Sequence, residues 1–190
     1  MQECLKSGEI KKLIAKIQSI LKNKKGCIIA IDGMCASGKT TLASELARFF
    51  DCNIVHMDDF YYPRGTIDLS KSNDGNINLI RLREEIINKI HDDSFIYNVF
   101  SCKEQKIVSS EIVKHRELTI VEGSYSLNPF LDHYYDISIF LKVDEDEQLR
   151  RLKVRNPHNF NDFANKWIRL EKRYNKYYLI EKNANILMHS

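Results

Sequence analysis

Glycine and proline are scarce in this sequence, and long apolar runs are absent from it. The 190 residues include only 7 Gly and 3 Pro, too few for long flexible linkers or low-complexity disorder. No apolar run approaches the roughly 18 residues that a membrane span requires, and no internal repeat is present. With 43% hydrophobic residues and 10% aromatic ones, the chain has enough apolar material for one core. We therefore expect a single domain over residues 1–190.

The chain also lacks a strong excess of either charge. Its formal net charge is +3, from 29 basic and 26 acidic residues, which is too close to balance to demand a polyanionic partner. Residues 1–25 contain seven lysines and two glutamates, so that segment carries +5 and the rest of the chain carries −2. The main body therefore has no basic surface for nucleic acid, and we expect no nucleic-acid partner.

The few cysteines show no spacing that is typical of disulfide bonds or metal sites. The five cysteines are odd in number and have neither disulfide-scaffold nor metal-site spacing; they are Cys4, Cys27, Cys35, Cys52 and Cys102. The N-terminal segment interleaves lysines with apolar residues and does not have the compact apolar core of a signal peptide. These features predict reduced thiols and a cytoplasmic protein.

The N-terminal segment 1–25 is predicted to form an amphipathic helix. Apolar side chains recur at helical spacing, lysines occupy the other face, and Gly26 is placed to end the helix. A lysine-rich face could touch an anionic membrane. The interpretation that we favour is a surface helix packed on the core, with no membrane partner.

Beyond this helix, short apolar runs alternate with helical patterns. The runs are residues 27–31, 53–57, 118–121, 137–143 and 185–188, and the helical patterns are residues 39–50, 78–90, 145–155 and 163–180. Strands that alternate with helices predict an α/β fold with a parallel sheet. Residues 95–108 differ, because two extended stretches flank the polar turn Lys103–Lys106. We interpret them as a hairpin insertion set off from the main sheet.

The segment GMCASGKT, residues 33–40, matches the phosphate-binding pattern G-x-x-x-x-G-K-[ST] between a predicted strand and a predicted helix. Glycines let the backbone aim N–H groups at phosphate oxygens, and the helix N-terminus adds partial positive charge. Lys39 is predicted to bridge phosphates and the Thr40 hydroxyl to bind Mg²⁺. The predicted nucleotide-binding residues are Gly33, Ala36, Ser37, Gly38, Lys39, Thr40 and Thr41. Beside the loop, Asp32 is expected to orient the loop or the water shell of the metal, and Cys35 to fill space.

Acidic residues follow two other predicted strands. Asp58 and Asp59 directly follow the run 53–57, at the edge where open α/β sheets bind ligands. One of them is predicted to engage the attacking hydroxyl while the other bonds to the turn; the alternative is that both only make turn bonds. Glu122 ends the run 118–121 and is predicted to serve Mg²⁺, with Gly123 leaving room for a ligand. The alternative is an ordinary acid at the end of a strand.

Arginines lie on the helical pattern that follows the fourth run. Arg151 and Arg155 are four residues apart and share a face. Guanidinium groups fit phosphate oxygens and stabilise a transferring phosphoryl group, so we predict that this pair closes over the triphosphate. The alternative, stronger for Arg150, is a solvated face paired with nearby acids such as Glu147.

Taken together, these motifs resemble the uridine kinase-like family of P-loop nucleoside kinases. The resemblance runs over most of residues 27–190 and rests on IDGMCASGKTTLA, DDFYYP, YNVFSC, VEGSYSLNP, YYDISIFLKVDEDEQLRRLKVRN and WIRLEKRY. It implies a five-stranded parallel sheet of order 2-3-1-4-5, ATP and Mg²⁺ as cofactors, and transfer to the 5′-hydroxyl of a uridine-like or cytidine-like nucleoside.

The resemblance also implies roles for single residues. Asp58 would engage the acceptor hydroxyl, Tyr61 and Tyr97 would border the nucleoside, Glu122 and Thr40 would serve Mg²⁺, and Arg151 and Arg155 would belong to a lid over residues 150–163. Cys102 stands where uridine-cytidine kinases have a base-binding histidine, and a thiol is a poor partner for a base edge. The lid segment 156–163 has no arginine.

Two other functions stay open from the sequence. The acceptor could be another small alcohol, such as pantothenate, a sugar or a vitamin precursor. An aromatic-lined pocket would favour a flat ring, although such aromatics more often form core; they are Phe60, Tyr61, Tyr62, Tyr97 and Phe100. A nucleotide-dependent switch or a nucleic-acid-binding ATPase is the third function, and the −2 body offers it no basic groove. The sequence does not indicate an oligomeric state.

Overall fold

The computed structural model describes residues 7–24 and 26–190, so Cys4 and the ends of the predicted segment 1–25 lie outside the described residues. The strands are β1 (Cys27–Gly33), β2 (Cys52–His56), β3 (Ser94–Ser101), β4 (Lys106–Lys114), β5 (Leu118–Glu122), β6 (Ile137–Lys142) and β7 (Ile186–His189). The α-helices are α1 (Ser7–Asn23), α2 (Lys39–Leu46), α3 (Leu79–Glu85), α4 (Glu145–Arg155), α5 (Phe160–Asp162), α6 (Ile168–Tyr178) and α7 (Ile180–Asn183).

Five strands form one parallel sheet in the spatial order β2-β5-β1-β6-β7. When the two hairpin strands are left out of the count, this is the order 2-3-1-4-5, so the predicted fold is confirmed. β3 and β4 pair with each other in a separate antiparallel ribbon. The ribbon is longer than predicted, because β4 continues to Lys114 and the turn precedes Lys106. The extension, residues 109–114, is mostly exposed and has its apolar residues Ile112 and Val113 side by side, so no apolar alternation marks it in the sequence.

Several helices are shorter or more broken than their patterns indicated. α2 ends at Leu46 rather than residue 50, and α3 ends at Glu85 before a 3-10 turn over Ile87–Lys89. The predicted helix 163–180 instead begins with α5, passes through a π-helical turn at Phe163–Trp167, and ends at Tyr178. Leu179 ends it because its backbone adopts the left-handed conformation, with φ 54°. Helix 145–155 is confirmed as α4.

The sheet separates two apolar clusters. In β1, Ile29 and Ile31 face one cluster, which includes Leu13 and Ile17 of α1, whereas Ile28 and Ala30 face the cluster that α3, α6 and the β3–β4 ribbon cover. All seven residues of β1 are buried, as expected for a central parallel strand with helices on both sides. None of the helices in the described part of the chain combines the length and apolarity that a membrane span requires.

Candidate active site

The phosphate-binding segment forms a turn between β1 and α2. Gly33 has φ 147°, and a side chain there would place a Cβ atom 2.3 Å from the Leu141 carbonyl oxygen. Gly38 has φ 89° immediately before α2 begins at Lys39. Both positions therefore need glycine, one for space and the other for its left-handed backbone. The turn delivers backbone N–H groups to the start of α2, the arrangement that binds phosphate oxygens.

Lys39 folds back onto this turn. Its ammonium group donates to the carbonyl oxygens of Gly33 at 2.9 Å and Met34 at 3.0 Å, and the residue is only 9% exposed. The two carbonyls hold a cation at the mouth of the turn, where phosphate oxygens would compete for it. The contact of Lys39 with phosphate stays a prediction.

Glu122 lies at the centre of the site. It ends β5, whose register places it beside Ile31 of β1 and His56 of β2. Its Oε1 atom accepts hydrogen bonds from the Thr40 hydroxyl at 3.0 Å and from His56 Nδ1 at 2.6 Å. A hydroxyl and a carboxylate oxygen thus converge beside the phosphate cradle, a donor set that suits Mg²⁺ completed by phosphate and water.

Gly123 follows Glu122 and was predicted to leave room for a ligand, but neighbouring protein atoms occupy that space. A Cβ atom at Gly123 would lie 2.6 Å from the Cβ atom of Met57. Because Gly123 has no side chain, Met57 can pack against its backbone at the start of the turn after β2. This packing brings the chain segment that carries Asp58 against the end of β5.

His56 is a site residue that the sequence analysis missed. The hydrogen bond with Glu122 raises the pKa of His56 above its ordinary value of 6.5, and burial opposes this rise. In the sequence, the position of His56 directly before Met57, Asp58 and Asp59 could have indicated a site residue. Only the pairing of β2 with β5 shows that His56 lies beside Glu122.

The two adjacent acids point to different surroundings. Asp59 accepts a hydrogen bond from the Tyr97 hydroxyl at 3.2 Å. Asp58 is open to solvent, and within residues 7–24 and 26–190 its carboxylate takes no hydrogen bond. Partial desolvation of the carboxylate by the surrounding protein, followed by the charge of Glu122, raises the pKa of Asp58 above 3.8, while Lys39 opposes this rise. Asp58 is thus the acid that remains free to meet a ligand.

The aromatic residues divide between core and site. Phe60, Phe100 and Tyr97 are buried, and the Tyr97 ring stacks on Phe60 at 5.7 Å between centroids. Tyr61 is partly exposed, and burial together with the Asp58 charge raises its pKa well above 10. Tyr61 therefore lies near Asp58, whereas Tyr97 lines a groove of about 540 Å³ between β2 and the ribbon, beside His56 and Asp59.

Cys102 lies at the tip of the β3–β4 ribbon, over the acidic turn. Its Sγ atom is 3.9 Å from the Asp58 carbonyl oxygen. Burial, followed by the charge of Asp58, raises the pKa of the Cys102 thiol to about 11, so the group is neutral at physiological pH. The other described cysteines, Cys27, Cys35 and Cys52, are also free thiols.

The three arginines of α4 have different partners. Arg150 is exposed and pairs with Glu147. Arg151 also bonds Glu147, at 2.7 Å, and reaches the Ala36 carbonyl of the phosphate-binding turn at 3.3 Å. Arg155 bonds Asn156 at 2.8 Å, and its charge lowers the pKa of Asp58. Arg151 therefore contacts the cradle from outside, and Arg155 lies close enough to Asp58 to influence its carboxylate.

Asp32 orients the loop rather than a metal's water shell. It is 2% exposed, and its carboxylate accepts hydrogen bonds from the backbone of Gly33, Tyr125 and Leu127 and from the Tyr174 hydroxyl. Burial raises the pKa of Asp32 to about 6, and these donors oppose that rise. Cys35 is buried, as predicted for a residue that fills space.

Comparisons with known proteins identify the family and the fold. The profile of the family described as "AAA domain" matches residues 29–167. The chain is 30% identical over 139 residues to human nicotinamide riboside kinase 1, covering 69% of this chain and 66% of that protein. It is 28% identical over 148 residues to uridine kinase of Clostridium perfringens, covering 70% and 69%. The chain thus spans about two thirds of the length of these relatives.

A solved structure described as a possible uridine kinase from Bacillus stearothermophilus superposes with a TM-score of 0.71 at 18% identity. It covers 94% of this chain and 96% of that chain. This likeness shows the fold, and the named relatives confirm the resemblance that the motifs indicated. The chain belongs to the AAA domain family and has the α/β P-loop kinase fold.

Proposed function

We propose that this protein is an ATP-dependent kinase that transfers the γ-phosphate to the 5′-hydroxyl of a nucleoside, with a uridine-like or cytidine-like ring preferred. The observation that carries the proposal is the free carboxylate of Asp58. It lies beside the phosphate cradle, under the influence of Lys39 and Glu122, and is open to solvent. A hydroxyl group held by Asp58 would meet the terminal phosphate of a nucleotide bound to the turn.

The donor side of the reaction uses the turn and α2. Backbone N–H groups of residues 33–41 would bind the phosphates, and Lys39 would exchange its two carbonyl partners for phosphate oxygens. Thr40 and Glu122 would hold Mg²⁺, which would supply positive charge to the phosphates. Because phosphoryl transfer is loose, positioning and charge placement account for most of the rate.

The acceptor side uses Asp58, Tyr61 and Cys102. Asp58 would orient the hydroxyl and take its proton as the bond to phosphorus forms. Tyr61 would border the ring of the nucleoside, and Tyr97 would support this border through Asp59 and Phe60. Arg155, with Arg151 behind the cradle, would balance the charge of the transferring group from the lid.

A nicotinamide riboside-like acceptor is the second candidate. The neutral Cys102 thiol replaces a base-binding side chain, and the acids Asp58 and Asp59 give the acceptor side negative charge. A cationic pyridinium ring would suit such surroundings better than a ring that needs hydrogen bonds at its edge. The identity to nicotinamide riboside kinase 1 supports the same candidate.

The test is a screen of acceptors with the purified chain, ATP and Mg²⁺. ADP release and product mass should identify uridine, cytidine or nicotinamide riboside as phosphorylated, well above ribose, pantothenate and other small alcohols. Lys39→Ala is the control and should abolish turnover. If the enzyme prefers an alcohol that is not a nucleoside, the proposed acceptor is wrong and that alcohol takes its place. ADP release that no acceptor stimulates would instead favour a nucleotide-dependent ATPase.

The location and partners of the proposed enzyme follow from the same features. Free thiols support a cytoplasmic protein, and the partner is a small molecule rather than nucleic acid or membrane. The lysine-rich helix α1 buries Ile10, Leu13 and Ile17 against the sheet, which supports the interpretation that its apolar face belongs to the core.

A further inference from the structure

The outer part of the phosphate-binding turn is held from outside by side chains of α4 and α6. The backbone N–H of Cys35 donates to Glu171 Oε2 at 2.8 Å. The carbonyl oxygen of the same residue accepts from Gln148 Nε2 at 2.9 Å. Both side chains are buried, with Glu171 7% and Gln148 2% exposed. The peptide groups on the two sides of Cys35 are therefore fixed by two different helices.

The same carboxylate also reaches the segment that follows β5. Glu171 Oε1 accepts a hydrogen bond from the Ser124 hydroxyl at 2.6 Å, and Ser124 lies two residues beyond Glu122. Both oxygens of a buried acid are thus satisfied, one by the phosphate-binding turn and the other by the segment after β5. Such a carboxylate fixes the separation of these two segments as well as their orientation.

The next residue of the turn explains why an outside support matters. Ala36 has φ 59°, a left-handed conformation that costs a residue with a Cβ atom free energy unless its surroundings impose it. The peptide groups around Cys35 precede Ala36 directly. If they were released, the turn would be free to leave this conformation, and its N–H groups would no longer be preorganised for phosphate.

We propose that Glu171 is a positioning residue, which keeps the phosphate cradle in its binding conformation by holding the Cys35 N–H and the Ser124 hydroxyl together. It acts on the nucleotide through the backbone and does not touch the reacting atoms. The inference rests only on nucleotide binding at the turn, not on which acceptor is phosphorylated. Its test is therefore the affinity for ADP, which needs no acceptor.

The variants Glu171→Met and Glu171→Gln separate the hydrogen bonds from the mere presence of a long side chain. Glu171→Met leaves the Cys35 N–H buried without a partner, and it should raise the Kd for ADP and the KM for ATP by roughly 5- to 100-fold. Glu171→Gln can still accept from Cys35 and can donate to the Ser124 oxygen, so both constants should stay within about threefold of the wild-type values. The KM for the acceptor at saturating ATP should change little in either variant.

Lys172→Met is the matched control on the same helix, because Lys172 pairs with Glu145 at the surface, away from the turn. It should bind ADP as the wild type does. Calorimetry measures the ADP constants, and circular dichroism confirms that each variant is folded. Wild-type ADP affinity in folded Glu171→Met would overturn the proposal. Equal weakening in Glu171→Gln would also overturn it, since charge rather than the pair of hydrogen bonds would then be required.

Ser124→Ala covers the case in which Glu171→Met does not fold. It removes the hydroxyl that Glu171 holds while leaving the bond from the Cys35 N–H in place, and it should raise the Kd for ADP by roughly 3- to 30-fold. Unchanged ADP affinity in folded Ser124→Ala would overturn the proposal in that case. If no nucleoside is phosphorylated but ADP binding responds as expected, the acceptor assignment fails and this inference stands.

Discussion

At the scale of single residues, Asp58 and Asp59 share a turn but have opposite surroundings. The Asp59 carboxylate is tied to Tyr97, and the Asp59 carbonyl accepts from Arg81, whose guanidinium lies 4.6 Å from the centre of the Phe60 ring. These bonds hold the turn and leave Asp58 facing the cleft. One of two adjacent acids is thus structural while the other is available for chemistry.

Substitution of Asp58 should separate chemistry from nucleotide binding. Asp58→Asn keeps the shape but removes the proton acceptor, so kcat should fall by roughly 10²- to 10⁴-fold while ADP affinity stays nearly intact. Steady-state kinetics with the best acceptor, together with ADP calorimetry, measures both. The matched control Asp59→Asn can still accept from Tyr97 and should lose less than about tenfold. Equal losses in the two variants would remove the distinction between these acids.

The pH dependence of the reaction should report the raised pKa of Asp58. Burial and the Glu122 charge favour the protonated form of Asp58, and only the ionised form accepts the proton of a hydroxyl. As pH falls, Asp58 therefore becomes protonated at a higher pH than an ordinary aspartate does. The midpoint of the acidic decline in kcat/KM should accordingly lie above pH 3.8. A pH–rate profile of wild type and Asp59→Asn should show this decline in both. A profile that is flat down to pH 4 would contradict the assignment.

At the scale of elements, α4 carries groups with different tasks on one short helix. Its N-terminal part holds Gln148 and Glu147, which support the turn directly or through Arg151. Its last residue, Arg155, influences the Asp58 carboxylate electrostatically. The 3-10 turn Pro157–Asn159 and α5 follow. The segment 150–163 therefore begins on a helix anchored to the cradle, and its role as a lid stays a prediction.

The arginines of α4 provide a comparison within one element. Arg155→Ala removes a cation from the acceptor side, so kcat should fall by roughly 10- to 10³-fold, with a smaller effect on ADP affinity. Arg150→Ala is the control, because Arg150 is exposed and pairs only with Glu147 in the described structure. It should keep kcat within about twofold. A wild-type kcat in Arg155→Ala would exclude this residue from the transferring step.

At the scale of the whole molecule, Asp32 joins three distant parts of the chain. Its carboxylate bonds the start of the phosphate-binding turn, the segment Tyr125–Leu127 after β5, and Tyr174 of α6. Nearby on α6, Arg173 donates to the carbonyls of Leu69, Ser70 and Ser72 in the loop before α3. Helix α6 thereby connects the phosphate-binding turn with the loop before α3.

Removal of the Asp32 carboxylate should destabilise the fold. Asp32→Ala leaves several buried donors without an acceptor, and the free energy of unfolding should fall by about 3–5 kcal/mol. Tyr174→Phe removes one donor only and should cost about 1–2 kcal/mol. Urea unfolding followed by circular dichroism measures both, with exposed Asp68→Ala as a control that should cost less than about 1 kcal/mol. A loss in Asp32→Ala no larger than the control would refute this role.

The sequence alone determined the fold and the donor side of this protein. The segment 33–40 is recognisable because phosphate binding demands glycines, a lysine and a hydroxyl at fixed spacing, and alternating strands and helices permit few sheet topologies. Helix ends were less predictable, as at Leu179, because a left-handed residue without glycine depends on packing. The extension of β4 escaped prediction because its exposed residues carry no apolar period.

Only the tertiary structure decided which side chains meet. His56 joins Glu122 because β2 lies beside β5, and a neighbour in space leaves no mark in a local pattern. Gly123 accommodates Met57, although from the chain alone the same glycine indicated room for a ligand. Glu171 reaches Cys35 across 136 residues of sequence. Local spacing specifies elements and loops that bind phosphate, whereas the pairing of buried charges depends on contacts that form only when the sheet and helices pack together.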